Sequence, residues 1–471
     1  MMYLSLTILV LASLALGIHA SRHLQPDSES YFIGGRALNR WAVGISAGAT
    51  ANSGFIVVGA VGMGYSMGLS SLIYPLAWLL GDLLFWFAFS EKINLKGNFE
   101  KAITIPQLIS ESVSSEGSSR GIKYLSGIII FSLLIVYSSA QFIASGKALS
   151  SFFDISIDYA MYVTFGIVIG YCIWGGFKSS VWTDLLQGIG MLLLTSSVLV
   201  WGFIEIGGVS SFLNSITSFG SQYFDLSGGR SPLLLVVFML GFAFAGFGFS
   251  MSQPQVTTRI MAAANKDEVR KARWIYIGFL HFTWMGMCVI GMMARVLLPD
   301  LNDGETALPQ LASEFFHPVF VGAVVAGILA TIFSSLDSLL VSSAGTLSVD
   351  FGIDSQMSVS QRKWWYKLSI ILVGLLALTL SMYMQSTVFQ TALFAANILA
   401  ASIGSAMTIV LLRLPRTQLS IIASITTGLV VALIWRVIEL NVYLSDGLVG
   451  FVGAMVANMI FASGCKSYGQ S

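Results

Sequence analysis

Charge is what this chain has least of. Of its 471 residues only 10% are Asp, Glu, Lys or Arg, against 55% hydrophobic, whereas a soluble globular chain carries about 25% charged residues. The charges nearly cancel, 24 basic against 23 acidic, so no basic stripe points to a nucleic-acid partner. Cysteine is scarce too. Cys172, Cys288 and Cys465 are scattered with no C-x-x-C spacing, which argues against a disulfide framework or thiolate metal centre and for core or lipid-facing positions. The four histidines make no metal-ligand pattern. His19 and His23 are four apart, but at the edge of an apolar run that leads into a polar loop. A nucleophile motif and a cofactor fingerprint are also missing, and the serines near 335 have no histidine nearby in sequence. An enzyme is not expected.

What is present is long apolar runs. A bilayer core of about 30 Å needs roughly 20 apolar residues per helix. Lipid offers the backbone no hydrogen-bond partners, so a span is a helix or a closed barrel. Alternating ten-residue strands are absent, which leaves helices. The predicted fold is all-α and integral to the membrane, a single polytopic domain over 1–471 with about thirteen transmembrane helices: 3–20, 42–64, 67–90, 122–146, 157–177, 181–207, 232–256, 274–298, 317–348, 366–385, 388–412, 418–438 and 444–464. Residues 1–20 resemble a signal peptide, but no Lys or Arg precedes the apolar run and Arg22 follows it. They read as an extra first helix with its N-terminus outside.

Counting basic residues by side supports that orientation. With the N-terminus outside, Lys147, Arg230, Arg295 and Arg436 fall outside and the other 20 of the 24 fall inside, Arg259 and Lys466 among them. The acidic stretch Asp300, Asp303, Glu305 and Glu314 falls outside. The expected place is the cell membrane, with a cytoplasmic C-terminus.

Two segments carry helix-breaking chemistry where a lipid-facing helix would hold Leu and Ile. One runs from Gly44 to Gly54 and contains Ser46, Thr50, Asn52 and Ser53; the other runs from Gly241 through Ser250 and Ser252 to Gln253-Pro254. Each opens a five-helix block, 42–207 and 232–412, and helices 418–464 follow. Paired breaks in two halves point to a transporter site, where freed carbonyls can hold a cation and freed N–H groups can meet a carboxylate. Close helix packing through small residues is the alternative.

Ionisable residues within spans call for a reason. Asp337 lies among Thr331, Ser334, Ser335, Ser338 and Ser342, a stripe of oxygen donors with one carboxylate on a helix. Such donors suit a hard cation. Asp184, after Val181-Trp182-Thr183, could cap the sixth segment or take part in a cation site. Asp82, four residues before Trp86, has no obvious partner in sequence and reads as structural or pathway-lining, and His281 reads as a satisfied packing histidine beside Trp284.

These residues also form a recognisable pattern. Tyr31-Phe32-Ile33-Gly34-Gly35-Arg36 with Ser46 to Ala49 and Ser53-Gly54, Gly175-Gly176-Phe177 with Trp182 to Asp184 and Gln187, Gln253-Pro254 with Arg259 and Met261 to Ala263, and Ser334-Ser335 through Ser338 resemble four motifs of the sodium/solute symporter family, nearest to its sodium/proline symporters. The resemblance implies a core of two inverted five-helix repeats (5+5) containing two discontinuous helices, with alternating access driven by co-transported sodium ion. It would place the main sodium site on the carbonyls of Ala49, Asn52 and Thr331 and the hydroxyls of Ser334 and Ser335. A second sodium site would fall on Asp184, Ser334, Asp337 and Ser338, where Asp337 stands in place of a serine. Solute contacts are expected from Ser53, Gly54, Phe55, Tyr137, Gln141, Ser250, Gln253 and Pro254, with Phe247 a further candidate. The chain departs from proline symporters at Ala51, where they have Asp, and at Gly246 and Ser250, where they have Trp and Tyr, so proline does not follow from family likeness.

The expected function is sodium-coupled symport of a small organic solute, with proline leading other carboxylates, sialic acid, pantothenate and sugars. A sensor module is disfavoured because the sequence ends at Ser471 without a kinase-like region. A channel is disfavoured because paired breaks suit a central occluded site rather than a continuous pore. Oligomeric state is not legible.

Overall fold

The computed structural model describes residues 2–22, 25, 27–113, 119–384 and 387–463; His23, Cys465 and Lys466 lie outside them. Every long element is a helix. We label them α1 (Met2–Ser21), α2 (Arg40–Ala51), α3 (Val61–Met67), α4 (Ile73–Ala88), α5 (Arg120–Phe153), α6 (Ile157–Ile206), α7 (Pro232–Ser252), α8 (Pro254–Met261), α9 (Lys266–Leu297), α10 (Pro318–Gly345), α11 (Val359–Ser381), α12 (Val388–Leu399), α13 (Ser405–Leu411), α14 (Gln418–Val437) and α15 (Asp446–Ala462).

Thirteen membrane segments follow among the described residues. The 50-residue α6 would be about 75 Å long at 1.5 Å per residue, more than twice the hydrocarbon thickness. It is two crossings joined at Gly176, whose φ of 51° and ψ of −134° are not helical. A Cβ there would stand 2.6 Å from the Tyr31 carbonyl oxygen, so glycine alone fits the turn. Pairs α2–α3, α7–α8 and α12–α13 each make one crossing.

Helix ends fall where caps stand rather than where apolar runs stop. Asn265 accepts from the N–H groups of Asp267 and Glu268 and starts α9 eight residues before the predicted segment. Ser358 and Gln361 form a capping box that starts α11 seven residues early. The predicted segment 67–90 is interrupted by a 3₁₀ turn over Gly68–Leu72.

Both predicted breaks are present. α2 stops at Ala51, Asn52 leaves the helical region at φ −81° and ψ 72°, and a π-helical turn over Phe55–Ala60 leads into α3. α7 stops at Gln253, φ −84° and ψ 114°, and Pro254 opens α8 at a position where no N–H is needed. Further π turns, Thr346–Asp350 after α10 and Ala400–Gly404 between α12 and α13, had no sequence signal. Cys172 and Cys288 are free and buried.

Candidate cation and solute site

Glycine, alanine and serine in α2 let it lie close against α9 and α10: a Cβ on Gly44 would meet Ile275 at 2.7 Å, and one on Gly48 would meet Phe279 at 2.8 Å. The break in α2 therefore lands on the hydroxyl stripe of α10. Ser334 donates to the Ala49 carbonyl at 3.0 Å, and Ser335 donates to the Thr50 carbonyl at 2.9 Å. Ser334 also reaches the Thr331 carbonyl at 3.0 Å. All of these residues are buried. Two regions separated by 285 residues thus converge as neutral oxygen donors, the kind that a hard monovalent cation takes.

Three details of that expected set are new. Thr50, left out of the ligand set implied by the resemblance, supplies a carbonyl, and its own hydroxyl has no protein partner. The Thr331 hydroxyl is turned back to its own helix, donating to Gly327 at 2.9 Å. The Asn52 amide donates to Thr283 at 2.9 Å, so its side chain braces the break against α9.

Beside this set lies a charged cluster. Asp184, Asp337 and Ser338 come together as expected, but with a guanidinium among them. Arg259, on α8, donates to Asp184 at 2.6 Å, Ser338 at 2.7 Å, Ser180 at 2.9 Å and the Gln255 carbonyl at 2.6 Å, and also to Ser46. Counting Arg259 among inner-loop charges is therefore corrected: it is only 1% exposed. The break at Gln253 turns α8 inward and aims it at α6, where a buried carboxylate offers the only tolerable environment for a buried cation. Ser46 in turn donates to Asp184 at 2.6 Å. Asp337 accepts from four hydroxyls: Ser180 at 2.8 Å, Ser338 at 3.0 Å, Tyr171 at 3.0 Å and Thr183 at 3.2 Å. Sequence reading missed Ser46, Tyr171, Ser180, Thr183 and Arg259 as members. Arg259 was visible as an Arg following a Gln-Pro break; its partners were not.

On the other side of the α2 break is an aromatic pocket. It is lined by Ala51, Phe55, Ile56, Trp78, Tyr137, Phe249, Leu280, Trp284, Ala392, Leu393 and Ala396. Phe55 stacks on Phe389 at 4.8 Å and meets Trp284 edge-on at 4.9 Å. Tyr137 and Ser53 share a hydrogen bond of 3.0 Å, and Gln141 accepts from the Gly54 N–H at 2.8 Å. The expected contacts Ser53, Gly54, Phe55, Tyr137 and Gln141 thus cluster at this break. The indole N–H groups of Trp78 and Trp284 are buried with no acceptor, as is the Gln141 amide nitrogen.

The remaining expected solute contacts are placed elsewhere. Ser250 is committed to Asp82, donating at 2.8 Å. Gln253 accepts from Gln255 at 3.0 Å. Pro254 lines a separate cavity with Thr104, Pro106 and Thr346. Phe247 packs on Phe89 and Phe451, away from the pocket. The pocket wall is completed by Trp78, Phe249, Trp284 and Ala392, brought in by α4, α7, α9 and α12. The partner that the sequence did not show for Asp82 is His281, whose Nε2 lies 3.2 Å from its second oxygen and which is buried.

Comparison with known proteins gives a consistent placement. A family model described as the sodium:solute symporter family matches residues 31–416. The high-affinity proline transporter PutP of Bacillus subtilis (strain 168) is 26% identical over 91% of this chain and 90% of that protein. The osmoregulated proline transporter OpuE of the same organism is 25% identical over 97% and 93%. Among solved structures, a substrate-bound, outward-open Na+-coupled sialic acid symporter matches with a TM-score of 0.80 at 19% identity, covering 100% of this chain and 99% of that one. Mhp1, a nucleobase-cation-symport-1 family transporter, matches with a TM-score of 0.57 at 14% identity, over 92% of each chain. These likenesses give the fold as a core of two inverted five-helix repeats containing two broken helices.

Proposed function

The chain belongs to the sodium:solute symporter family, and on that premise we propose that it takes a small organic solute into the cell together with sodium, by alternating access around its two helix breaks. One observation carries this reading: the carbonyls of Ala49 and Thr50 lie within a hydrogen bond of the Ser334 and Ser335 hydroxyls. The main sodium site is formed by Ala49, Asn52, Thr331, Ser334 and Ser335, with Thr50 added. α2 and α10 come from different repeats, 42–207 and 232–412, so a cation shared between them responds to any movement of one repeat against the other. Asp184, Asp337 and Ser338 serve a second monovalent cation. Arg259 offsets one of the two carboxylates, and the cluster keeps one negative charge in hand.

The solute binds in the aromatic pocket, with Phe55 and Tyr137 in its wall and Ser53, Gly54 and Gln141 beside them at the α2 break. An amino acid such as proline is the favoured solute, supported by the names of the curated relatives. Sialic acid, the solute of the structural neighbour, is also an acid, and the unpaired donors of Trp78, Trp284 and Gln141 suit such acceptor oxygens. The N-terminus lies outside and the C-terminus in the cytoplasm. Each sodium entering supplies ~2.3 kcal/mol per 100 mV of membrane potential, enough for more than about tenfold accumulation of solute.

A melting screen of the purified protein against amino acids, sialic acid, pantothenate and sugars, with sodium or with choline, tests the reading. Stabilisation by one solute only when sodium is present is expected. Equal stabilisation in choline would refute the coupling.

A further inference from the structure

One buried ionisable pair belongs to neither cation set. Asp82 on α4 and His281 on α9 are both buried. The carboxylate accepts from Ser250 at 2.8 Å on one oxygen and meets His281 Nε2 at 3.2 Å on the other. The second ring nitrogen, Nδ1, is buried with no partner. Among the described residues, His281 is the one ion-pair partner of Asp82. α7 brings Ser250 but carries no ionisable residue, and Tyr276 of α9 adds a hydroxyl 3.5 Å from Ser250. Ionisable groups on the other elements packed here bond elsewhere: Arg40 with Glu268, Glu91 with Arg270 and Arg273, Asp184 with Arg259, Tyr65 with the Leu298 carbonyl and Tyr137 with Ser53.

The three helices that hold this pair also wall the solute pocket. Trp78 lies one turn before Asp82, Phe249 directly precedes Ser250, and Leu280 and Trp284 flank His281. Trp78 stands 5.3 Å from Trp284 and 5.4 Å from Phe249. The Trp86 and Tyr276 rings, 4.8 Å apart, lie one turn further along α4. Between these rings charge is poorly screened, so charge balance governs how many protons the pair holds. A carboxylate with a donor on each oxygen is suited to its ionised form, which only accepts. With Nε2–H donating and Nδ1 bare, the pair carries −1 in a buried place, which is costly. A proton on Nδ1 brings it to zero without breaking the bond to Asp82. Sodium fits less well: both carboxylate oxygens are engaged, and the unpartnered atom is a nitrogen, where a hard cation takes oxygen.

We propose that Asp82 and His281 form a proton-binding site beside the solute pocket. Its proton sits on His281 Nδ1 and passes to water when the pocket opens, so the charge one turn from the solute changes from zero to −1 and solute binding is linked to pH. That link rests on the pocket assigned above; the proton site itself does not.

Solid-state nitrogen NMR of the purified protein in liposomes tests the site without any solute. His281 is the one histidine followed by Phe, so isotope labelling of both residue types selects its signals in wild type. Both ring nitrogens should be protonated at about pH 6, and Nδ1 should lose its proton by about pH 9, in sodium and in choline alike. D82N should lower the doubly protonated fraction at neutral pH by about tenfold, because the carboxylate favours the imidazolium. A ring with one proton at every pH, a ring with two at every pH, displacement of the proton by sodium, or a D82N signal like that of wild type overturns the site. The solute that stabilises the protein in the melting screen should do so unequally at the two pH values, and H281Q should remove the difference. Equal stabilisation in wild type, or a difference that survives in H281Q, overturns the link to the solute. If either variant fails to fold, the two wild-type profiles decide. A failure of sodium coupling leaves the NMR result standing, so the two readings fail separately.

Discussion

Two buried oxygen clusters share α10 and are made of opposite materials. At Ser334 and Ser335 the partners are the neutral carbonyls of Ala49 and Thr50; one turn on, at Asp337 and Ser338, they are the side chains of Arg259, Ser180, Tyr171 and Thr183. The neutral cluster carries no formal charge of its own, so a cation can enter and leave without stranding an ion in hydrocarbon. The charged cluster is built around a fixed ion pair, Arg259 with Asp184, and removing either partner leaves a buried charge uncompensated. Cation exchange suits the first and fixed architecture suits much of the second.

The largest test of that difference is Arg259→Leu. It leaves two buried carboxylates without a counter-charge and should cost about 3–5 kcal/mol, read as a steep loss of folded protein on heating; unchanged melting would mean that the guanidinium does not hold the cluster. Next in size is the double change Ser334→Ala with Ser335→Ala. It removes only neutral hydrogen bonds, about 0.5–1.5 kcal/mol each, so melting should change modestly. The sodium concentration for half-maximal stabilisation should nevertheless rise by roughly 10–100-fold. If sodium affinity is untouched, the neutral cluster is not the cation site.

Asp337→Asn separates the clusters more finely. It keeps the side-chain shape and removes the charge, so sodium should still stabilise through the neutral set. Where both clusters take a cation, the Hill coefficient for sodium should fall from about 2 to about 1. A coefficient that stays the same removes Asp337 from cation binding.

The smallest effect lies outside the spans, at Glu91. Arg270 donates to it at 3.1 and 3.0 Å and Arg273 at 2.9 Å. Hydrogen bonding from Arg270, aided by Arg273, holds its carboxyl below the usual range. A depressed carboxyl stabilises the fold above its ordinary titration range and loses that contribution as pH falls through the lowered value. Glu91→Gln should therefore melt slightly below wild type at neutral pH and converge with it in acid. A gap that persists in acid would assign the effect to packing.

Much of the architecture was legible from the chain. Apolar run length gave thirteen crossings, and Gly, Ser, Asn and Pro in two spans located both breaks. The stripe from Thr331 to Ser338 was legible as an oxygen-rich face because helical periodicity alone puts those residues on neighbouring positions. What could not be read was the identity of partners across the fold. Ser250 stood out because it sits beside a break, but its bond to Asp82 on α4 had no local signal. His281 reads as a packing histidine, and the carboxylate it meets lies 199 residues away. Trp78 and Trp284 line the pocket, although in sequence they resemble any other aromatic residue in a membrane helix.

By itself, then, the sequence determined how often the chain crosses the membrane, where its helices cannot continue and which residue types stand ready at those places. These are properties of local hydrophobicity, backbone freedom and spacing. Only tertiary structure decided that Arg259 leaves the inner surface for the interior, that Thr50 joins Ser335, and that the pocket wall is aromatic. The physical reason is that charge compensation and close packing act between segments brought together from opposite ends of the chain, and no local pattern records which segments those will be.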